Sequence, residues 1–332
     1  MAATRVTTDP MPPVVRAVPA PVGQPDQTRA RYPDADGYVE RDGVRVFYEV
    51  YGSGEPTIVL VPTWQIVHSR LWKAQIPYLA RHGRVIAFDP RGNGRSDRPS
   101  TPHAYDEREM AADIIAVMDA TTTDRAVLVT RSLAAQRGLI VGAEHPDRIE
   151  GLIFGGPSVP IGVSNGDERL DSFEDVLDTD EGWAKENIHY WRRDFDGYLR
   201  FFFERCFTEP HSSKQIEDCV GWGHEIGPET LILGAFADGL TAAETLDLCG
   251  RIRCPALVVV GDGDAITGDG PAFALADAIP QAELVVVRGG GHVQDARDPV
   301  LMNLLIRDFV AGIHPGFGRI PASVRPVAGR ER

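Results

Sequence analysis

The chain has 332 residues, 43% hydrophobic and 25% charged, as in an ordinary globular protein of one large domain or one domain with an insertion. Its formal net charge of −14 argues against a nucleic-acid partner, whose phosphates most of the surface would repel. No apolar run approaches the roughly 18 residues of a membrane helix, so no membrane partner is expected.

Residues 1–36 read as a disordered, proline-rich arm. Seven prolines, from Pro10 to Pro33, and Arg16 break up its only apolar patch. No signal-peptide core is therefore expected, and the expected location is cytoplasmic. Arg45–Tyr51 alternates and reads as a strand. Thr57–Val61 is a continuous apolar run, as in a strand buried on both faces. Leu71–Arg81 reads as a helix and Arg84–Phe88 as another buried strand. Tyr105–Ala120 has helical spacing at Met110, Ile114, Ile115 and Met118. Ala126–Val129 is a strand, Leu133–Glu144 a helix rich in Ala and Gly, and Ile149–Phe154 the next strand.

Strands separated by helices imply parallel pairing through right-handed crossovers. The alternation stops after Pro157 and resumes with strands at Ala256–Val260 and Glu283–Val287 and a last helix at Pro299–Gly312. The expected organisation is an α/β core over 37–157 and 246–313, a helical insertion over 158–245, and a flexible tail over 314–332. Within the insertion, Trp191, Phe195, Tyr198 and Phe202 fall on one helix stripe. Cys206, Cys219, Cys249 and Cys254 lack zinc-knuckle spacing and are expected to be free, mostly buried thiols. No metal or cofactor is expected.

Four segments lie just past the carboxyl ends of strands, where open α/β sheets place their sites. They are Val61-Pro62-Thr63-Trp64, Asp89 to Asp97, Thr130-Arg131-Ser132-Leu133-Ala134, and Gly261-Asp262-Gly263-Asp264 followed by Gly289-Gly290-Gly291-His292. Ser132, between an apolar strand and a small-residue helix, has the setting of a nucleophile elbow. A hydroxyl there needs a histidine base, an acid to orient that base, and donors for an oxyanion.

This pattern resembles the α/β-hydrolase superfamily, in the branch with a helical cap between the sixth and seventh family strands. The resemblance covers about Gly37 to Ile313, and Arg70 to Pro99 and the cap also resemble hydrolase-like proteins of actinobacteria, some of which accompany nucleotide-cyclase domains. The fold it implies is a mostly parallel central sheet flanked by helices. The roles it implies are Ser132 as nucleophile, Asp264 as orienting acid ahead of Asp262, and His292 as general base. The oxyanion donors would be the backbone N–H groups of Trp64 and Leu133. Candidate substrate-binding residues are His68, Arg131, Trp191 and Tyr198. For His68 an ordinary surface role is the stronger expectation, and for Arg131 pairing with a local carboxylate.

The chain departs from the family spelling at three places. Thr130 and Ala134 replace the glycines of Gly-x-Ser-x-Gly, and Pro62-Thr63 replaces a His-Gly that braces the oxyanion loop. Thr130 adds a β-branched side chain where strand and helix pass closely, with Gly138 and Gly142 positioned to relieve the crowding. These changes are expected to loosen the oxyanion donors. The expected function is a cofactor-independent serine hydrolase of a small to medium apolar ester, thioester or lactone. Three alternatives share the fold: a cofactor-free dioxygenase, a carbon–carbon bond hydrolase, and a ligand sensor with little turnover. The sequence leaves the substrate and the oligomeric state open.

Overall fold

The computed structural model describes residues 29–166, 169 and 171–318. Most of the expected arm, residues 1–28, and of the expected tail, residues 319–332, lie outside the described residues. Eight strands form one sheet in the order β1-β2-β4-β3-β5-β6-β7-β8. They are β1 (Ala35–Arg41), β2 (Val44–Tyr51), β3 (Thr57–Leu60), β4 (Arg84–Phe88), β5 (Ala126–Arg131), β6 (Ile149–Gly155), β7 (Ala256–Gly261) and β8 (Ala282–Val287). The β1–β2 and β2–β4 pairs are antiparallel, and all the others are parallel.

The helices are α1 (Ile76–Leu79), α2 (Glu107–Ala120), α3 (Ala134–Glu144), α4 (Ile188–Arg193), α5 (Phe195–Cys206), α6 (Ser213–Gly223), α7 (Pro228–Ala235), α8 (Ala242–Arg251), α9 (Gly270–Ala278), α10 (Gln294–Arg297) and α11 (Pro299–Ile313). The central strands are largely apolar because both faces are covered. On β5, Leu128 packs with Ile114 of α2, Leu139 of α3 and Leu275 of α9. Its neighbours Val127 and Val129 pack with Leu79 of α1 and Ile306 of α11 on the opposite face. A third apolar cluster, rich in aromatic rings, joins α4 to α7 with Ile66, Val67 and Val293. Among the described residues, no helix is long and apolar enough to cross a membrane.

Several elements differ from the sequence reading. Strand β1 was not expected, and its first two residues fall in the expected arm. It is a mostly exposed edge strand with mixed charges, so it carries no buried-strand pattern. The helix expected over Leu71–Arg81 is a 3₁₀ turn at Ser69–Trp72 followed by the short α1. Pro77 lies in the first turn of α1, because a residue without an N–H is tolerated at a helix start and not in its interior. The helix expected from Tyr105 begins at Glu107.

The stripe from Trp191 to Phe202 is split between α4 and α5. Asp194 stands at the break, and its side chain accepts from the Gly197 N–H to cap α5. The core border expected at 245/246 falls inside α8. A capping box between Thr241 and Glu244 starts that helix earlier, and it packs on α3. The tail expected from 314 is packed as far as Phe317, whose ring lies 5.7 Å from that of His82.

Gly138 relieves the crowding at Thr130, as expected: a Cβ there would lie 2.9 Å from Thr130 Cγ2. Gly142 does not; it faces Leu152 and Ile252 instead. Thr130 Oγ1 donates to the Ile153 carbonyl at 2.9 Å, so the hydroxyl is satisfied inside the sheet. Gly138→Ala is therefore expected to destabilise the protein by about 1–3 kcal/mol in urea unfolding. Adding Thr130→Ser, which removes the clashing methyl and keeps the hydroxyl, recovers part of that loss. An additive double variant would show that the strain lies elsewhere.

Candidate active site

Strand β5 delivers Ser132, β7 delivers Asp264, and the loop after β8 delivers His292. Ser132 has φ 53°, the left-handed region, where an L side chain is strained. Backbone bonds hold it there, among them one from the Ala135 N–H to the Ser132 carbonyl at 3.0 Å. Its N–H donates to the Gly155 carbonyl at 2.9 Å, and its own carbonyl accepts from the Ser158 N–H at 3.1 Å. The turn lifts the hydroxyl toward His292, whose Nε2 lies 2.9 Å from Ser132 Oγ. His292 Nδ1 lies 2.7 Å from Asp264 Oδ2.

A carboxylate only accepts, so Nδ1 carries the proton and Nε2 is left to accept from the serine. Asp264 also accepts from the N–H groups of Ile266 at 2.8 Å and Thr267 at 3.0 Å, and from Thr267 Oγ1 at 3.1 Å. Burial alone would raise this carboxyl, but the His292 ring and these hydrogen bonds outweigh it and hold Asp264 below the ordinary carboxylate range. Asp262 is elsewhere, accepting from the Gly289 N–H at 2.5 Å and fixing the turn after β8.

The sequence of residues 56–294 matches the family model described as the alpha/beta hydrolase fold. The chain belongs to the α/β hydrolase family. A proposed carbamate hydrolase of Caulobacter segnis is 32% identical over 274 residues, spanning 80% of this chain and 97% of that protein. Among solved structures, an N-acyl homoserine lactone degrading enzyme is similar with a TM-score of 0.68 and 28% identity, over 82% of this chain and all of that one. An esterase of Exiguobacterium antarcticum, 22% identical with a TM-score of 0.70 over 82% of this chain and 98% of its own, shares the fold.

Two buried arginines lie near the serine of this α/β hydrolase, Arg131 paired with a local carboxylate as expected and Arg137 not foreseen from the sequence. Arg131 is not free to face a substrate: it forms a buried ion pair with Asp295 and donates to the His292 carbonyl. Gly155 and Gly156 make room for its guanidinium, which a Cβ at either would approach within 2.6 or 2.9 Å. Nor is the Pro62-Thr63 loop unbraced. Arg137 of α3 donates to the carbonyls of Pro62 and Thr63, at 2.7 and 2.8 Å, and pairs with the buried Glu107. Burial pushes the Glu107 carboxyl up, against the pull of Arg137. The one charged side chain in an otherwise apolar and polar-neutral helix interior was the available signal.

The His292 loop is tied to the insertion. The His292 N–H donates to the Cys206 carbonyl at 2.9 Å, and the Gly291 N–H to Glu209 Oε1 at 2.7 Å. Of its three glycines only Gly289 has positive φ, so Gly290 and Gly291 serve close packing rather than a bend. The N–H groups of Trp64 and Leu133 donate to no group among the described residues.

A cavity of about 40 Å³ opens on Ser132 and His292, walled by Trp64, Val67, Phe202 and Phe203. A second, of about 180 Å³, meets Trp64 and Leu133 and reaches Trp191. Of the expected substrate contacts, Arg131 and Trp191 each line a cavity, whereas Tyr198 is buried and lines neither. His68 is neither exposed nor at the site. It caps the 3₁₀ turn by accepting from the Arg70 N–H and lies 3.1 Å from Glu225. The four cysteines are free, and burial raises their thiols, which keeps them neutral.

Asp295→Asn leaves the Arg131 guanidinium buried without a counter-charge and is expected to cost about 3–5 kcal/mol of stability. The paired change Arg131→Met with Asp295→Leu is expected to cost less than that single change in urea unfolding. Equal costs would mean that the pair is not coupled.

Proposed function

We propose that the protein is a serine hydrolase that cleaves a small to medium apolar ester, thioester or lactone through an acyl-enzyme. The observation that carries this reading is the unbroken chain from Asp264 through His292 to Ser132 Oγ, ending on a hydroxyl held at positive φ beside an apolar cavity. An N-acyl homoserine lactone degrading enzyme among the similar structures supports the choice of carbonyl substrate.

Ser132 Oγ attacks the carbonyl carbon while His292 Nε2 takes its proton. Asp264 fixes the histidine tautomer and stabilises the imidazolium that forms. Charge then develops on the carbonyl oxygen. The unengaged N–H groups of Trp64 and Leu133 receive it, and the N-terminus of α3 adds its dipole. Collapse of this intermediate breaks the bond to the leaving group, which departs with the proton from His292. Water, deprotonated by the same nitrogen, attacks the acyl-enzyme and releases the acid.

Arg137 and Glu107 are positioning residues in this scheme, since they fix the carbonyls on either side of the loop that presents the Trp64 N–H. The cavity of about 40 Å³ beside Ser132 admits only a small group, given that one water needs ~10–15 Å³ of such space. The larger substituent of the carbonyl extends past Trp64.

Ser132→Ala is expected to lower turnover of p-nitrophenyl butyrate by ~10³-fold or more and to abolish labelling by a fluorophosphonate. Mass mapping of the wild-type adduct should place it on Ser132. Unchanged turnover in that variant contradicts the reading. A wild type that binds esters saturably with neither labelling nor turnover would be a sensor.

A further inference from the structure

The loop that carries His292 is held peptide by peptide, and one of its holders is a side chain of the insertion that the proposed reaction does not use. His292 can serve Ser132 only while its ring stays between Ser132 Oγ and Asp264 Oδ2, 2.9 and 2.7 Å away. The direction in which that ring leaves the backbone is set by the peptide planes around it, since the chain turns only at its two soft dihedrals per residue.

Three successive planes are fixed. The Gly291 N–H lies in the first and donates to Glu209 Oε1 at 2.7 Å. The His292 N–H lies in the second and donates to the Cys206 carbonyl at 2.9 Å. The His292 carbonyl lies in the third and accepts from Arg131. Gln294, 3% exposed, joins the first two planes, because its Nε2 donates to Glu209 Oε1 and to the Gly291 carbonyl, each at 2.9 Å.

The glycines before the histidine make room for these holders. A Cβ at Gly290 would lie 2.6 Å from Gln294 Nε2, and one at Gly291 would lie 2.8 Å from Glu209 Oε2 and 3.0 Å from the Cys206 carbonyl. The same segment of the insertion reaches the acid side, where Thr208 Oγ1 donates to the Gly263 carbonyl at 3.0 Å, one residue before Asp264. Residues 206–209 lie at the end of α5, and α5 carries Phe202 and Phe203 in the wall of the cavity at Ser132. One stretch of chain therefore joins that wall to the loops of the base and the acid. Within it Cys206 acts through its backbone, so Glu209 is the holder of the base loop that a substitution can remove.

We propose that Glu209 is a positioning residue for His292, its carboxylate fixing the base loop to the end of α5 so that the imidazole stays in line with Ser132. The assignment rests on the serine-hydrolase reading. It gives the insertion a share in orienting the base, beyond walling the cavity.

The test combines steady-state kinetics on p-nitrophenyl butyrate with the rate of fluorophosphonate labelling, at a temperature where every variant is fully folded. In Glu209→Ala, kcat is expected to fall by about 10- to 100-fold with KM changed by less than about twofold, as a displaced base produces. Labelling should slow in parallel, because it needs the same attack by Ser132. Glu209→Gln keeps an oxygen within reach of both donors and should recover most of the loss. Arg297→Met is the control. Arg297 donates to Ser212 Oγ at 3.1 Å and to the Pro210 carbonyl at 2.9 Å, so its loss loosens the neighbouring stretch of the insertion without touching Gly291 or His292. Its kcat is expected to stay within about twofold of the wild type. A wild-type kcat in Glu209→Ala, no recovery in Glu209→Gln, or an equal fall in Arg297→Met overturns the assignment and leaves the hydrolase reading standing. Turnover and labelling that are no slower in Ser132→Ala overturn the hydrolase reading and this assignment with it.

Discussion

The positive φ of Ser132 is the constraint on which the rest of the site depends. An L residue leaves the left-handed region unless its surroundings hold it there. Here the sheet holds it from below, through the bonds to Gly155 and Ser158, and α3 begins two residues later. The same turn sets the direction of Ser132 Oγ and of the Leu133 N–H together. Any movement of β5 against α3 would disturb both, which is why the Thr130–Gly138 contact matters more than its size suggests.

Two buried arginines flank that turn in the sequence and work in opposite directions from it. Arg131 reaches toward the base side, where Asp295 and the His292 carbonyl engage it. Arg137 reaches toward the donor side, where Glu107 and the carbonyls of Pro62 and Thr63 engage it. Each arginine has five N–H donors in a fixed fork, which suits it to bridge a carboxylate and a carbonyl at once. The loop with Pro62-Thr63 in place of His-Gly is braced from α3. The expectation of loosened donors followed from the local spelling alone and missed a brace that only the tertiary fold brings into place.

Much of the fold was legible because a parallel sheet covered on both faces demands unbroken apolar runs, such as Thr57–Leu60 and Ala256–Gly261. The edge strand β1 was not, since its exposed residues repeat no apolar pattern. The split between α4 and α5 was misread because Trp191 and Tyr198 stack across the break, with rings 4.6 Å apart, and so keep the spacing of one continuous helix. Ser132, Asp264 and His292 stood out through their loops. Glu107, Asp295 and Glu186 did not, because a carboxylate in a sequence gives no sign of being buried until its partner, or the lack of one, is in place.

Arg137→Met tests most directly whether the charged supports behind the site hold its backbone donors in place. Steady-state kinetics of that variant on p-nitrophenyl butyrate, at a temperature where it is fully folded, separate positioning from binding. A fall in kcat of about 100-fold with KM changed little is expected, as displaced oxyanion donors produce. A folded variant with wild-type kcat would contradict it.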